Sequence, residues 1–81
     1  MTENELSYAI RGCIFNVYNN LGPGLLESSY ETTLSYELSK IGLKHSRQVG
    51  LPMWYESVKM DIGYRLDILV ENKIIIELII C

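Results

Sequence analysis

The chain has few of the residues and segments that mark special classes of small protein. Two cysteines in 81 residues are too few for a disulfide framework. No apolar run approaches the roughly 20 residues that span a bilayer, and the N-terminus lacks the basic start and continuous apolar stretch of a secretory signal peptide. These absences predict a soluble protein of the reducing cytoplasm, with no membrane segment.

An excess of basic residues is also missing. Seven Lys and Arg stand against ten Asp and Glu, which gives a net charge of −3. The chain as a whole therefore exerts no general attraction on a polyanion such as DNA or RNA. Residues 1–39 carry a net charge of −4 and residues 40–81 a net charge of +1. A phosphate backbone would therefore dock on the C-terminal half, which carries Lys44, Arg47, Lys59 and Arg65.

The overall composition is that of a small folded domain. Hydrophobic residues make up 48% of the chain and charged residues 21%, a balance that is typical of globular proteins. With 81 residues and no linker or internal repeat, the sequence predicts one domain over residues 1–81. A chain of this size buries only about 60% of the surface that its unfolded form exposes, so its stability is marginal.

The first half of the chain has the spacing of two helices. Apolar residues recur at steps of three and four over residues 3–20 and again over 25–41, and this period places them on one face of each helix. Thr2 and Glu5 have the spacing of a capping box at the start of the first helix. Gly42 is placed to end the second helix in a left-handed conformation.

The second half is predicted to be extended. Residues 43–55 are rich in strand formers, although a glycine and a proline limit them to an irregular or edge strand. Two β-branched and apolar runs, 64–70 and 74–80, are separated by residues 71–73 and predict a hairpin. The fold class is therefore α+β, with two N-terminal helices followed by a three-stranded antiparallel meander.

Two acids interrupt the apolar hairpin. Asp67 and Glu77 lie in the middle of its strands, where a charge is costly unless it is paired, solvated or bound to metal. A three-residue loop would pair Val70 with Ile74 and place Asp67 opposite Glu77 on one face. Two opposed carboxylates repel each other unless a divalent cation such as Mg²⁺ lies between them. A two-residue loop would remove this opposition.

A structural role is the alternative for both acids. Asp67 would then form an ion pair with Arg65 or Lys59, and Glu77 would lie at a solvated edge of the sheet. Two acids by themselves do not decide between these interpretations. The single histidine, His45, has no second ligand at metal-binding spacing, and we assign it no role.

The segment Gly24-Leu25-Leu26-Glu27-Ser28-Ser29-Tyr30 resembles the signature of the GxxExxY protein family. The resemblance continues in one register through residues 36–38, 42–44, 47–49, 58–59, 64–67, 71–73 and 76–78. This family is similar to a branch of the PD-(D/E)XK nuclease superfamily, whose core is a helix, a three-stranded antiparallel meander, a further helix and a final strand. The resemblance implies that residues 1–81 form a PD-(D/E)XK-like domain that is incomplete at its C-terminus.

The resemblance also implies roles for three acids. Asp67 corresponds to the metal-binding aspartate of the second core strand, Glu77 to the acid of the third strand, and Glu27 to a helix-borne acid that completes the catalytic site. The implied metal ligands are Asp67 and Glu77, and the implied cofactor is Mg²⁺ or Mn²⁺. The implied reaction is hydrolysis of phosphodiester bonds in nucleic acid, with DNA favoured. Glu27 has a plainer alternative role, because an acid in the first turn stabilises a helix.

Ile79 departs from the family pattern. Relatives have a lysine two residues after the strand acid, where it positions the attacking water or offsets charge in the transition state, whereas this chain reads Glu77-Leu78-Ile79. An aliphatic side chain supplies neither effect. In the register with a three-residue loop, Arg65 would stand opposite Ile79 and could replace the lysine. Weakened or absent catalysis is the favoured expectation.

The apolar end of the chain supports a different function. The predicted strand over residues 74–80 ends without a polar stop, and an exposed strand of this kind tends to pair with other chains. A second copy that covers it would make the protein a homo-oligomeric, non-catalytic interaction module. A third interpretation is an incomplete folding unit. Cation binding that depends on Asp67 distinguishes the nuclease-like function from the interaction module.

Overall fold

Two helices and five strands make up the computed structural model, which describes residues 1–60 and 64–79. The helices are α1 (Glu3–Leu21) and α2 (Glu27–Lys40). The strands are β1 (His45–Gly50), β2 (Met53–Tyr55), β3 (Val58–Met60), β4 (Arg65–Val70) and β5 (Ile74–Ile76). An antiparallel sheet has the order β1-β4-β5, and β2 and β3 form a separate antiparallel hairpin.

The predicted α+β class is confirmed, since two helices precede a three-stranded antiparallel meander. The helix boundaries differ from the predicted ones by no more than two residues. Neither helix in the described part of the chain is long and apolar enough to cross a membrane. The predicted strand over residues 43–55 is wrong in one respect, because this region contains two strands, β1 and β2, that belong to different sheets.

The β2–β3 hairpin is absent from the sequence prediction for a local reason. Its turn consists of Glu56 and Ser57, which both have positive φ, 50° and 66°. A two-residue hairpin turn of this kind is normally recognised by asparagine and glycine, the residues that adopt positive φ at the lowest cost. Glu56 and Ser57 carry neither signal, so no turn is predicted at this point.

Side-chain and backbone caps fix the helix ends as predicted. The Thr2 N–H donates to Glu5 Oε1 at 2.9 Å, and the Glu5 N–H donates to Thr2 Oγ1 at 3.2 Å. The backbone hydrogen bond from Thr2 holds the pKa of Glu5 below its ordinary value of 4.5. At the end of α2, Gly42 has a φ of +78°, and the Leu43 N–H reaches back to the Leu38 carbonyl at 3.0 Å, as in a Schellman motif.

One apolar core lies between the helices and the sheet. It contains four residues of α1, two of α2, Leu43 and three strand residues: Leu6, Ile10, Cys13, Val17, Leu34, Leu38, Leu43, Ile68, Val70 and Ile76. Along β4 the side chains alternate, so that Leu66, Ile68 and Val70 are buried while Asp67 is only half-buried. Burial raises the pKa of the Cys13 thiol, which identifies it as a core residue and not a reactive one.

The register of the β4–β5 hairpin agrees with the prediction. Val70 pairs with Ile74 across a three-residue turn, and the pairing continues to Ile68 and Ile76. The predicted length of the last strand is wrong, because β5 ends at Ile76. Beyond it, the backbone N–H of residue 78 donates to the side chain of Asp67 instead of joining a ladder. The predicted strand extends to residue 80, which lies with residue 81 outside the described residues.

Candidate active site

Asp67 lies where the ladders on both sides of β4 are interrupted. β4 pairs with β1 at the positions before and after Asp67, but Gln48, which stands opposite, does not take part in the described ladder. On the other side, the last described pair of the β4–β5 ladder is Ile68 with Ile76. The next pair in that register would be Asp67 with Glu77, and it does not belong to the described ladder. Asp67 is therefore half-buried at a one-residue interruption of the β1–β4 ladder, just beyond the end of the β4–β5 ladder.

Hydrogen bonds from both neighbouring segments hold the Asp67 carboxylate. The Leu78 N–H donates to Oδ2 at 2.7 Å, and Gln48 Nε2 lies 3.5 Å from Oδ1. The first bond is short and the second is long, so Oδ1 retains capacity to accept a further partner. The alternative prediction is an ion pair between Asp67 and Arg65 or Lys59. The ion pairs among the described residues contain neither of these contacts.

Glu77 lies directly after β5 and is exposed. Both Glu77 and Asp67 influence Tyr64, the residue before β4. The negative charge of Glu77 is the main cause that raises the pKa of Tyr64 above its ordinary value of 10.0, and the charge of Asp67 acts in the same direction. Both carboxylates therefore act on one phenol, and their direct opposition across the hairpin remains a prediction, since the described pairing ends at Ile68 and Ile76.

The arrangement of Tyr64 predicts a specific alkaline titration. We expect Tyr64 to ionise above pH 10.0 in the wild-type chain, because two nearby carboxylates disfavour a third negative charge. Glu77→Gln should lower its pKa markedly and Asp67→Asn should lower it less. Ultraviolet difference titration, with Tyr64→Phe to assign the signal, measures the effect. Glu71→Gln is the matched control, and an equal shift in that variant would contradict the placement of Glu77.

Glu27 is the third predicted acid. It is the first residue of α2 and is exposed. Among residues 1–60 and 64–79, no hydrogen bond or ion pair connects it to Asp67 or Glu77. Its catalytic role remains a prediction.

Glu31 is the helix acid that contacts the site, and the sequence analysis missed it. Its side chain is only 9% exposed. Arg47 Nε and Nη2 donate to Oε2 at 3.0 and 2.9 Å, and Gln48 Nε2 donates to Oε1 at 2.6 Å. A buried carboxylate requires partners of this kind. The available signal was its position one turn after Glu27, since residues four apart share a helix face.

The glycine and the tyrosine of the GxxExxY segment build the turn before α2. The Tyr30 hydroxyl donates to the Gly22 carbonyl at 2.7 Å and accepts from the Leu25 N–H at 3.1 Å. Gly24 has a φ of +91°, a conformation that other residues rarely adopt. These two motif residues therefore fix how the chain enters α2, the helix that carries both Glu27 and Glu31.

His45 has a structural environment, which agrees with the absence of an assigned role. Its Nδ1 lies 2.9 Å from the Leu43 carbonyl, and its Nε2 lies 2.6 Å from Ser35 Oγ. Because a carbonyl only accepts, Nδ1 carries the proton and Nε2 accepts from the serine hydroxyl. The histidine thereby connects the start of β1 to α2.

An apolar cavity of about 500 Å³ adjoins the site. It lies between α1, the turn before α2 and the segment after β5, and Glu77 and Ile79 line one side of it. Ile79 is 84% exposed. The groove therefore places exposed apolar surface beside the strand acid.

The acids meet part of the requirement for a divalent cation. Among residues 1–60 and 64–79, no group of three His, Cys, Asp or Glu side chains is arranged to hold a metal ion. Mg²⁺, however, is commonly held by one or two carboxylates together with water and substrate phosphates. Asp67 and Glu77 are the two carboxylates whose charges raise the pKa of Tyr64, and Asp67 Oδ1 makes only a long hydrogen bond. The donor set therefore fits a Mg²⁺ that water and substrate also coordinate.

These features define an α+β chain in which Asp67 lies at an interruption of the β1–β4 ladder. The family model of the PD-(D/E)XK nuclease superfamily matches residues 4–81. The chain therefore belongs to the PD-(D/E)XK nuclease superfamily, as its sequence resemblance indicated. No curated protein and no solved structure shows significant similarity to the chain.

Proposed function

We propose that the chain is a metal-dependent, nuclease-like protein that hydrolyses phosphodiester bonds in nucleic acid, with DNA as the favoured substrate. The observation that carries the proposal is the Asp67 carboxylate, which is held by the Leu78 N–H at the break in both ladders. Membership of the PD-(D/E)XK nuclease superfamily supports the nuclease-like function. A cytoplasmic location is part of the proposal and is consistent with the buried free thiol of Cys13.

Asp67 and Glu77 are the residues that would hold Mg²⁺ or Mn²⁺. When bound, such a cation polarises a scissile phosphate and lowers the pKa of an attacking water. The chain itself contributes the orientation of Asp67, whose Oδ2 is fixed by the backbone at residue 78. Glu27 and Glu31 lie one turn apart on α2 and are the two candidates for a further acid, but only Glu31 is linked to Asp67 through Gln48.

The proposed activity is weak in this chain because Ile79 replaces the lysine of the family pattern. Ile79 is exposed beside Glu77, where an aliphatic group cannot stabilise developing negative charge. Arg65 is not positioned by pairing to compensate, since the described β4–β5 ladder ends at Ile68 and Ile76.

A non-catalytic interaction module is the second candidate function. It is supported by the apolar groove and by the exposure of Ile75 and Ile79, 52% and 84%. A second copy of the chain would cover this surface. Because association with a second copy stabilises only the folded chain, thermal stability would then depend on protein concentration.

Cleavage assays with Asp67→Asn distinguish the two functions. We expect the wild-type chain to cleave labelled single-stranded or duplex DNA slowly in Mg²⁺ or Mn²⁺, and Asp67→Asn to lose that activity, because the amide removes a charged ligand. Glu56→Gln, at the tip of the β2–β3 hairpin, is the matched control and should retain it. Equal activity in wild type and Asp67→Asn would reject the assignment. Inactivity of both, together with concentration-dependent thermal stability in both, would favour the interaction module.

A further inference from the structure

Gln48 has a backbone conformation that a strand residue rarely adopts. Its φ is +52°, although it lies inside β1 and is not glycine. The left-handed region is unfavourable for residues with a Cβ atom, because the Cβ lies too close to the following carbonyl oxygen. Strain of this kind persists where the surrounding contacts impose it, and it concentrates at functional sites.

The left-handed backbone accounts for an unusual pair of side-chain directions. Successive residues of a regular strand point to opposite faces. Arg47 and Gln48 are successive, yet both contact the Glu31 carboxylate, at 2.9 Å from Nη2 and 2.6 Å from Nε2. The conformation at Gln48 thus directs its amide to the same side as the Arg47 guanidinium, and removes Gln48 from the described β1–β4 ladder.

The amide nitrogen of Gln48 lies between two carboxylates. One N–H donates to Glu31 Oε1, and the same nitrogen lies 3.5 Å from Asp67 Oδ1. Glu31 is itself held by Arg47, so Gln48 is anchored on a part-buried ion pair whose carboxylate side is buried. On its other side, Asp67 is held by the Leu78 N–H. The two oxygens of Asp67 therefore face donors from two different segments, and these donors define the plane of its carboxylate.

We propose that Gln48 is a positioning residue for Asp67, and that its left-handed backbone exists to bring the anchored amide to this carboxylate. The inference rests on the proposed function, in which Asp67 is a cation ligand. Partners that orient a metal ligand through hydrogen bonds commonly change metal affinity by about 10–100-fold when they are removed. Gln48 would act through Asp67 and would not itself touch the cation.

Gln48→Gly removes the amide without opposing the backbone conformation, since glycine adopts positive φ freely. We expect Mn²⁺ affinity, measured by calorimetry, to fall about tenfold or more. The urea transition should remain cooperative, because relief of the positive φ offsets part of the loss of the hydrogen bond to Glu31 Oε1. The matched control is Asn72→Gly, which relieves positive φ of 54° in the β4–β5 turn and should leave Mn²⁺ affinity unchanged. Unchanged or tighter Mn²⁺ binding in Gln48→Gly would overturn the proposal.

A second measurement examines the contact in the protein without added metal. In ¹⁵N-resolved NMR spectra, the side-chain amide of Gln48 should shift when Glu31→Gln or Asp67→Asn is introduced, and should not shift in Glu56→Gln. If the chemical shifts of the Gln48 side-chain amide are unchanged in both Glu31→Gln and Asp67→Asn, the positioning role is refuted. If the wild-type chain binds no Mn²⁺, the positioning role is rejected together with the proposed function. If the Gln48 amide signals nevertheless shift in the two site variants, the hydrogen bonds are present and the failure lies in the metal site.

Discussion

Ile79→Lys is expected to raise metal-dependent DNA cleavage by about 10²–10³-fold, the effect that one preorganised electrostatic group has on a transition state. The substitution restores the lysine of the family pattern two residues after Glu77. Because Ile79 is 84% exposed, a lysine at this position costs little folding stability. Initial rates on labelled DNA in Mn²⁺, for wild type and variant at equal concentration, measure the gain.

Ile75→Lys is the matched control for this experiment. Ile75 is another exposed isoleucine of the same segment, 52% exposed on β5, and its substitution adds the same charge two residues before Glu77 instead of two residues after it. Cleavage that rises equally in both variants would reflect stronger attraction to DNA and would contradict a specific role at position 79. The combination of Ile79→Lys with Asp67→Asn should return the rate to background.

Leu38→Ala is expected to lower the free energy of unfolding by about 2–5 kcal/mol, the usual cost of a cavity at a fully buried leucine. Leu38 is completely buried in the single apolar core. Small proteins have stabilities of about 0.05–0.15 kcal/mol per residue, so this loss removes a large share of the total for a chain of 81 residues. Urea denaturation followed by circular dichroism measures the change.

Leu26→Ala is the control for the core prediction. Leu26 precedes α2 and is 76% exposed, so the same deletion of atoms should change the free energy of unfolding by less than about 0.5 kcal/mol. Similar losses in the two variants would show that the packing between α2 and the sheet does not provide the stability assigned to it.

The helices and the β4–β5 hairpin were predictable because local chemistry determines them. The Thr2–Glu5 capping box and the positive φ of Gly42 occur as expected, and the three-residue turn gives the expected register between Val70 and Ile74. The β2–β3 hairpin was not predictable, since its turn uses two residues that usually avoid positive φ.

The candidate site was only partly visible in the sequence. Asp67 stands out because an acid in an apolar strand is unusual, and the structure places it at the break in the sheet. Glu31 and Gln48 were missed because their roles depend on tertiary contacts: an ion pair with Arg47 buries the first, and a left-handed backbone redirects the second. Strand periodicity assigns Gln48 and Arg47 to opposite faces, so no pattern in the sequence brings both to one carboxylate.

Calorimetric titration of Mn²⁺ into the wild-type chain and into Asp67→Asn tests the central claim most directly. The account predicts binding to the wild type, loss of that binding in Asp67→Asn, and retention in Glu56→Gln, whose acid lies in the turn of the β2–β3 hairpin. If the wild-type chain binds no Mn²⁺, or if Asp67→Asn binds it equally well, Asp67 is not a metal ligand and the proposed nuclease-like mechanism is contradicted.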